Sequence, residues 1–238
     1  MNTLSLIVPC KDEYSRLHPT AFLSAVETYP YLTFIFVDDG STDRTAETLA
    51  FLERESPAIH TLYLPRNIGK AEAVRTGVNW ALEHTAADAF GFWDADLATP
   101  LNAIPDFKAV MDGNPDIQAV LGSRWPHLGV RIERTRFRAL TAGAMKILIR
   151  LVLGVSVYDT QCGAKVFTRE LAKRIFAAKF ISRWLFDVEL LKRMNRFDLA
   201  HRVFELPLRE WTDVPGSRLR PADAFGIASD LLRIANMV

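Results

Sequence analysis

The sequence predicts an α/β protein: a mainly parallel sheet flanked by helices, carrying a C-terminal amphipathic helical extension. Two observations lead there. Up to about Arg124, short and almost wholly apolar runs alternate with stretches of helical periodicity. Strands covered on both faces read as continuous apolar runs, as a parallel sheet between two helical layers requires. The 238 residues are 49% hydrophobic and 24% charged, which fills one sizeable core and excludes bulk disorder.

The elements follow in order. "LSLIVP" (Leu4–Pro9) is a short strand ended by proline, and a helix pattern covers Pro19–Thr28. "LTFIFVDDGS" (Leu32–Ser41) is a second strand running into acids and glycine. "DRTAETLAFLERES" is helical, with Ala46, Leu49, Ala50 and Leu52 on its apolar side. "HTLYLP" is a third strand, "GKAEAVRTGVNWALEHT" a helix, "AFGFWDAD" a fourth strand and "IQAVLGSR" (Ile117–Arg124) a fifth. The rhythm then changes. Between Arg124 and Arg150 lie seven basic residues, Arg124, Arg131, Arg134, Arg136, Arg138, Lys146 and Arg150, opposed only by Glu133 and interleaved with large apolar side chains. A loop "YDTQCGAK", a helix "SRWLFDVELLKRMNR", a strand "VFELPLREW", a polar loop "TDVPGSRLRP" and an amphipathic helix from about Ala222 complete the chain. The expected organisation is one domain over 1–219, including a basic segment at 124–157, with a helix over 220–238.

Several classes are set aside. A net charge of +1 by itself argues neither for a nucleic acid nor for an acidic partner, and no nucleic-acid partner is expected. Cys10 and Cys162 make neither a disulfide framework nor a zinc set, and suit a reducing compartment. His18, His60, His84, His127 and His201 show no paired metal spacing and read as structural or exposed. The N-terminus has no basic region and cleavage site of a signal peptide. The most apolar run, Ile147–Val157, is short and interrupted by Arg150, so a soluble or peripheral protein is expected.

The chemistry concentrates where strands end. In open parallel sheets, ligands bind at the carboxyl ends of the strands. Strand one ends in Pro9-Cys10-Lys11-Asp12-Glu13, strand two in Asp38-Asp39-Gly40-Ser41, strand four in Asp94-Ala95-Asp96. Each acid alone could be a helix cap. Three acidic strand ends together repel unless a cation compensates, and oxygen-only donors suit Mg²⁺ or Mn²⁺. Residues two apart in an extended segment point the same way, so Asp94 and Asp96 share a side.

"IVPCKDE", "VDDGSTDRT", "RNIGKAEAVRTG" and "DADLATP", in this order, resemble family-2 inverting glycosyltransferases of GT-A fold. "LGSR", "DTQCGAKVF", "WLFDVELL" and "REWTDVPGSRL" resemble the dolichyl-phosphate glucosyltransferase branch, with polyprenyl-phosphate mannose synthases as near relatives. The resemblance runs from about Leu4 to Leu219. It implies that Pro9, Lys11, Glu13 and Asp39 line the nucleotide, with Lys70 close by. Asp96 is the implied metal ligand, Asp94 stands nearer the sugar or ribose, and Ala95 lies between them. Arg218, in a loop with Trp211 and Ser217, would meet the diphosphate. Ala98 stands where some relatives carry a further glutamine ligand, and Asp12 where many carry asparagine.

Physical chemistry suggests further roles. The fork of Arg124 fits a phosphate. Arg134 and Arg138, one helical turn apart, could clamp an acceptor phosphate at a membrane, or form a solvated basic face. Asp187, among aromatic and aliphatic neighbours with Glu189 close in sequence, is the candidate general base or acceptor-orienting group. Cys162 reads as packed. The resemblance implies a reaction that transfers a hexose, glucose favoured, from UDP-glucose or GDP-mannose to a polyprenyl phosphate, expected at the inner face of the membrane. A separate membrane protein or a second copy could assist. The alternatives are a glycosyltransferase with a soluble or polysaccharide-precursor acceptor, and a non-catalytic nucleotide-sugar-binding module.

Overall fold

The structure, a computed structural model, describes residues 1–125, 131–133, 157–182, 185–197, 200–212, 214 and 223–237. Strands β1 (Leu4–Cys10), β2 (Leu32–Asp38), β3 (Ile59–Tyr63), β4 (Ala89–Trp93), β5 (Ala119–Ser123), β7 (Ala164–Thr168) and β8 (Val203–Pro207) form one sheet in the order β3-β2-β1-β4-β7-β5-β8. Strands β6 (Arg131–Glu133) and β9 (Glu210–Thr212) pair in parallel beside it. The helices are α1 (Pro19–Thr28), α2 (Thr45–Glu55), α3 (Lys70–His84), α4 (Ile104–Gly113), α5 (Arg169–Ile175), α6 (Phe186–Arg196) and α7 (Asp223–Ala235).

Alternation along each strand divides the core in two. Ile7, Ile35, Val37, Phe90, Phe92 and Leu121 face helices α3, α5, α6 and α7. Leu6, Val8, Phe34, Phe36, Trp93 and Val120 face α1, α2 and α4. Every central strand is thus buried on both sides, which is why their sequences alternate so little. The C-terminal helix α7 places Leu231 and Ile234 in the first cluster, and its Asp230 accepts a 2.6 Å bond from the Ser182 hydroxyl.

Two expectations change. The segment "YDTQCGAK" reads as loop, yet Ala164 and Lys165 open β7, which runs antiparallel between β4 and β5. A lysine in a short run masks the strand, because its burial depends on a partner far along the chain. Gly91 admits the β7 backbone: a Cβ there would lie 2.2 Å from the Lys165 carbonyl oxygen. The single strand expected in "VFELPLREW" is divided into β8 and β9: the Leu208 N–H still donates to the Ser123 carbonyl at 2.9 Å, but the next N–H of the β5 chain, that of Arg124, turns to the Asp159 carboxylate at 3.0 Å, and pairing with β8 stops there.

Candidate active site

Parallel pairing of β1 with both β2 and β4 brings their carboxyl ends to one rim. Asp39, just past β2, is 3% exposed. Its two oxygens accept the backbone N–H groups of Ile68 (2.6 Å) and Gly69 (2.9 Å). Gly69, at φ 95°, takes a left-handed turn that side chains disfavour, and α3 starts at the next residue. Asp39 therefore fixes where Lys70 begins. The Lys70 ammonium donates to Asp94 Oδ1 at 2.5 Å and lies 5.9 and 5.8 Å from the Phe92 and Phe186 ring centroids. Burial opposes its charge, but Asp94, then Asp187 and Asp96, outweigh that and hold its pKa above the ordinary lysine value. Lys70, at the helix start and 38% exposed, is thus tied to the acidic site by its ion pair with Asp94.

Asp94 fits because residue 163 has no side chain. A Cβ at Gly163 would lie 1.8 Å from Asp94 Oδ2, and the Asp94 N–H donates to the Gly163 carbonyl at 3.1 Å. Asp96 accepts the Ala98 N–H at 3.1 Å, across Leu97, which is held at φ 53°. That bond closes a turn; the next helical turn starts only at Leu101, after Pro100, so Asp96 does not cap it. Burial first, and Asp94 second, push the Asp96 carboxyl above the ordinary range, against the Ala98 N–H, Lys70 and Arg16. Ala95 between them is buried.

Such a site favours an added cation. Among the described residues no group of three or more His, Cys, Asp or Glu side chains could cage an ion. The donors fit a hard divalent ion held by one or two carboxylates, with water and substrate oxygens completing its shell.

Asp187 lies in the first turn of α6 and forms an ion pair with Lys165, whose ammonium also donates to the Thr160 carbonyl at 2.7 Å. Glu189 instead accepts the backbone N–H groups of Ile181 and Ser182 and pairs with Arg193.

Arg124 is paired within the chain. Its Nε and Nη2 donate to Asp159 at 2.6 and 2.7 Å, so this edge of the fork holds a carboxylate. Asp159 is itself fixed, since its N–H and that of Tyr158 donate to Glu205 at 2.9 and 2.8 Å. Although burial opposes the guanidinium's charge, Asp159 raises its pKa above the ordinary arginine value. The guanidinium lies 5.1 Å from the Trp211 ring centroid. Pro9 is in β1, Lys11 donates to the Gly40 carbonyl at 2.7 Å, and Glu13 pairs with Arg16 at 2.5 Å. Arg134, Arg138, Ser217 and Arg218 lie outside the described residues. Sequence reasoning missed Gly163, Asp159 and Lys165, although all three lie within the quoted "DTQCGAKVF"; the motif was visible, its partners were not.

A mixed, mainly parallel sheet with carboxylates and a lysine gathered on its carboxyl-end rim fits the GT-A fold that the resemblance implies. The chain belongs to glycosyl transferase family 2, whose family profile matches residues 5–176. It is 32% identical over 248 aligned positions to a dolichyl-phosphate beta-glucosyltransferase of Trichomonas vaginalis, covering 98% of this chain and 72% of that one. It is 33% identical over 243 positions to the dolichyl-phosphate beta-glucosyltransferase of Homo sapiens, covering 92% and 70%. Its fold matches glucosyl-3-phosphoglycerate synthase from Mycobacterium tuberculosis, solved with Mn²⁺, UDP-glucose and phosphoglyceric acid. That match has a TM-score of 0.68 at 19% identity and covers 100% of this chain and 81% of the other.

Proposed function

We propose that this chain transfers a hexose, glucose first, from a nucleotide-diphosphate sugar to a polyprenyl phosphate, with inversion, at the inner face of a membrane. The observation that carries the reading is the rim itself: Lys70 seated on Asp94, with Asp96 two residues on. The relatives named dolichyl-phosphate beta-glucosyltransferase support the lipid acceptor, and UDP-glucose is the favoured donor ahead of GDP-mannose.

Asp96, with Asp94 beside it, would hold Mg²⁺ or Mn²⁺. When bound, that ion offsets the charge that builds on the leaving diphosphate. Lys70 supplies a fixed positive charge on the same rim, oriented before reaction by its ion pair. An acceptor phosphate is largely a dianion near neutral pH, so its oxygen can attack the anomeric carbon without losing a proton. The new carbon–oxygen bond forms as the bond to the diphosphate breaks, and that electron pair departs with the nucleoside diphosphate. Asp187 then serves to orient the acceptor or a sugar hydroxyl. Among the described residues no helix is long and apolar enough to cross a membrane, and the basic 124–157 segment is proposed to bring the chain to the lipid surface.

The test is a matrix of donors and acceptors: UDP-glucose, GDP-mannose and UDP-galactose against a short polyprenyl phosphate in vesicles, phosphoglyceric acid, and no acceptor, each with Mg²⁺, Mn²⁺ or chelator. Metal-dependent nucleoside diphosphate release that requires the lipid phosphate is expected. Release driven by phosphoglyceric acid alone would replace this reading with a soluble-acceptor enzyme. Donor binding without turnover in any arm would leave a nucleotide-sugar-binding module.

A further inference from the structure

We propose that Lys165 is a positioning residue of the transfer reaction, holding the Asp187 carboxylate in the orientation in which it meets the sugar or the acceptor. The proposal rests on the glycosyl-transfer reading above.

Lys165 lies within β7, opposite Phe92 of β4 and Leu121 of β5. It is 1% exposed, which a lysine tolerates only when its ammonium is paired. Among the described residues the ammonium meets the Thr160 carbonyl, the Asp187 carboxylate and, at 5.4 Å, the Phe92 ring centroid. The carbonyl and the carboxylate, both acceptors, fix the head of a long, flexible side chain from two directions.

Stability is a poor reason for this arrangement. Phe92 and Leu121 both belong to the apolar cluster on one face of the sheet, and a methionine of similar reach would fill the same space. Replacing a buried ion pair by apolar side chains of similar volume is often neutral or favourable. Location supplies the other reason. Asp187 is the second of the charges that raise the Lys70 ammonium, after Asp94 and ahead of Asp96, so it lies within electrostatic reach of the candidate site. Both lysine ammoniums also stand near the one Phe92 ring. Asp187 gives Oδ1 to Lys165, and its other oxygen makes no hydrogen bond among the described residues. One oxygen is anchored, and among the described residues the other is left for a ligand. Lys165, being buried, acts only through Asp187.

Four proteins test this: the wild type, Lys165→Met, Asp187→Asn and the double variant, compared by Tm, donor KM and kcat. Lys165→Met should lower kcat by about tenfold or more, because a misdirected carboxylate loses orientation rather than donor affinity, and donor KM should stay within about twofold. Its Tm should fall, since Asp187 is left as an uncompensated buried charge. The double variant removes both charges and should recover Tm while kcat stays low. A double variant with wild-type kcat, or Lys165→Met at wild-type kcat, would overturn the proposal and leave the pair purely structural. If Lys165→Met alone does not fold, the double variant still decides. A wild type that transfers to no acceptor would instead refute the proposed function; the same four proteins are then ranked by nucleoside diphosphate release to water.

Discussion

Gly163→Ala is the smallest change that should disable this enzyme. An added Cβ would lie 1.8 Å from Asp94 Oδ2, 2.2 Å from its Cγ and 2.7 Å from Oδ1. Ordinary contact starts near 3.4 Å, so the carboxylate must retreat by roughly 1.6 Å. Rotating the carboxylate cannot relieve this, because the whole group is too close. Asp94 would leave Lys70, which it meets at 2.5 Å, and the spacing from Asp96 would change with it. A misplacement of about 1 Å at a reacting centre can cost on the order of 10²-fold in rate. The Asp94 side chain is 35% exposed and has solvent to move into, so the fold should survive. The assay is metal-dependent nucleoside diphosphate release, with Tm measured on the same samples. Turnover within about threefold of wild type would refute the reasoning; a collapsed Tm would show that Gly163 serves the fold rather than the site.

Further expectations follow from the same geometry. Asp39→Asn turns an NH₂ toward one of two backbone donors, at about 1–3 kcal/mol, and unseats Lys70; Tm and turnover should fall together, and an unchanged Tm contradicts the assigned bonds. Asp96→Asn should abolish metal-dependent turnover without lowering Tm. The folded Asp96 carboxyl is raised by burial and Asp94, so the folded state holds its proton more tightly than the unfolded chain. Its contribution therefore weakens as pH rises from the unfolded value through the folded one, and removing the charge relieves that; a marked loss of Tm in the variant would count against it. Arg124→Lys loses the two-pronged grip on Asp159, so thermal stability should drop along with activity, and activity lost at unchanged Tm would point to a direct phosphate role. Burial pushes the Cys162 thiol up to about 11, so its thiolate forms only at strongly alkaline pH; thiol-reactive dye should label it at pH 8 only after denaturation, and rapid native labelling would contradict its burial.

How much of this was readable in advance varies with the distance between partners. The buried strands β1, β2 and β4 announce themselves as apolar runs, and the acids at their ends are written beside them. The helix that opens at Lys70 follows from its own periodicity and from the glycine before it. What stayed hidden was pairing. Nothing beside Arg124 in the sequence shows that Asp159, 35 positions on, meets its fork. Nothing beside Asp39 in the sequence shows that the amides of Ile68 and Gly69, 29 and 30 positions away, bind it. Lys165 reads as a loop lysine until β7 slips antiparallel between β4 and β5 and Asp187 meets it from 22 positions further along.

The sequence by itself determined the α/β class, the acidic strand ends and the family, because apolar periodicity and short motifs are properties of neighbouring residues. Only the tertiary structure decided which charge answers which. An ion pair is set by the strand ends and helix turns that packing brings within a few ångströms, and no local pattern of residues carries that distance.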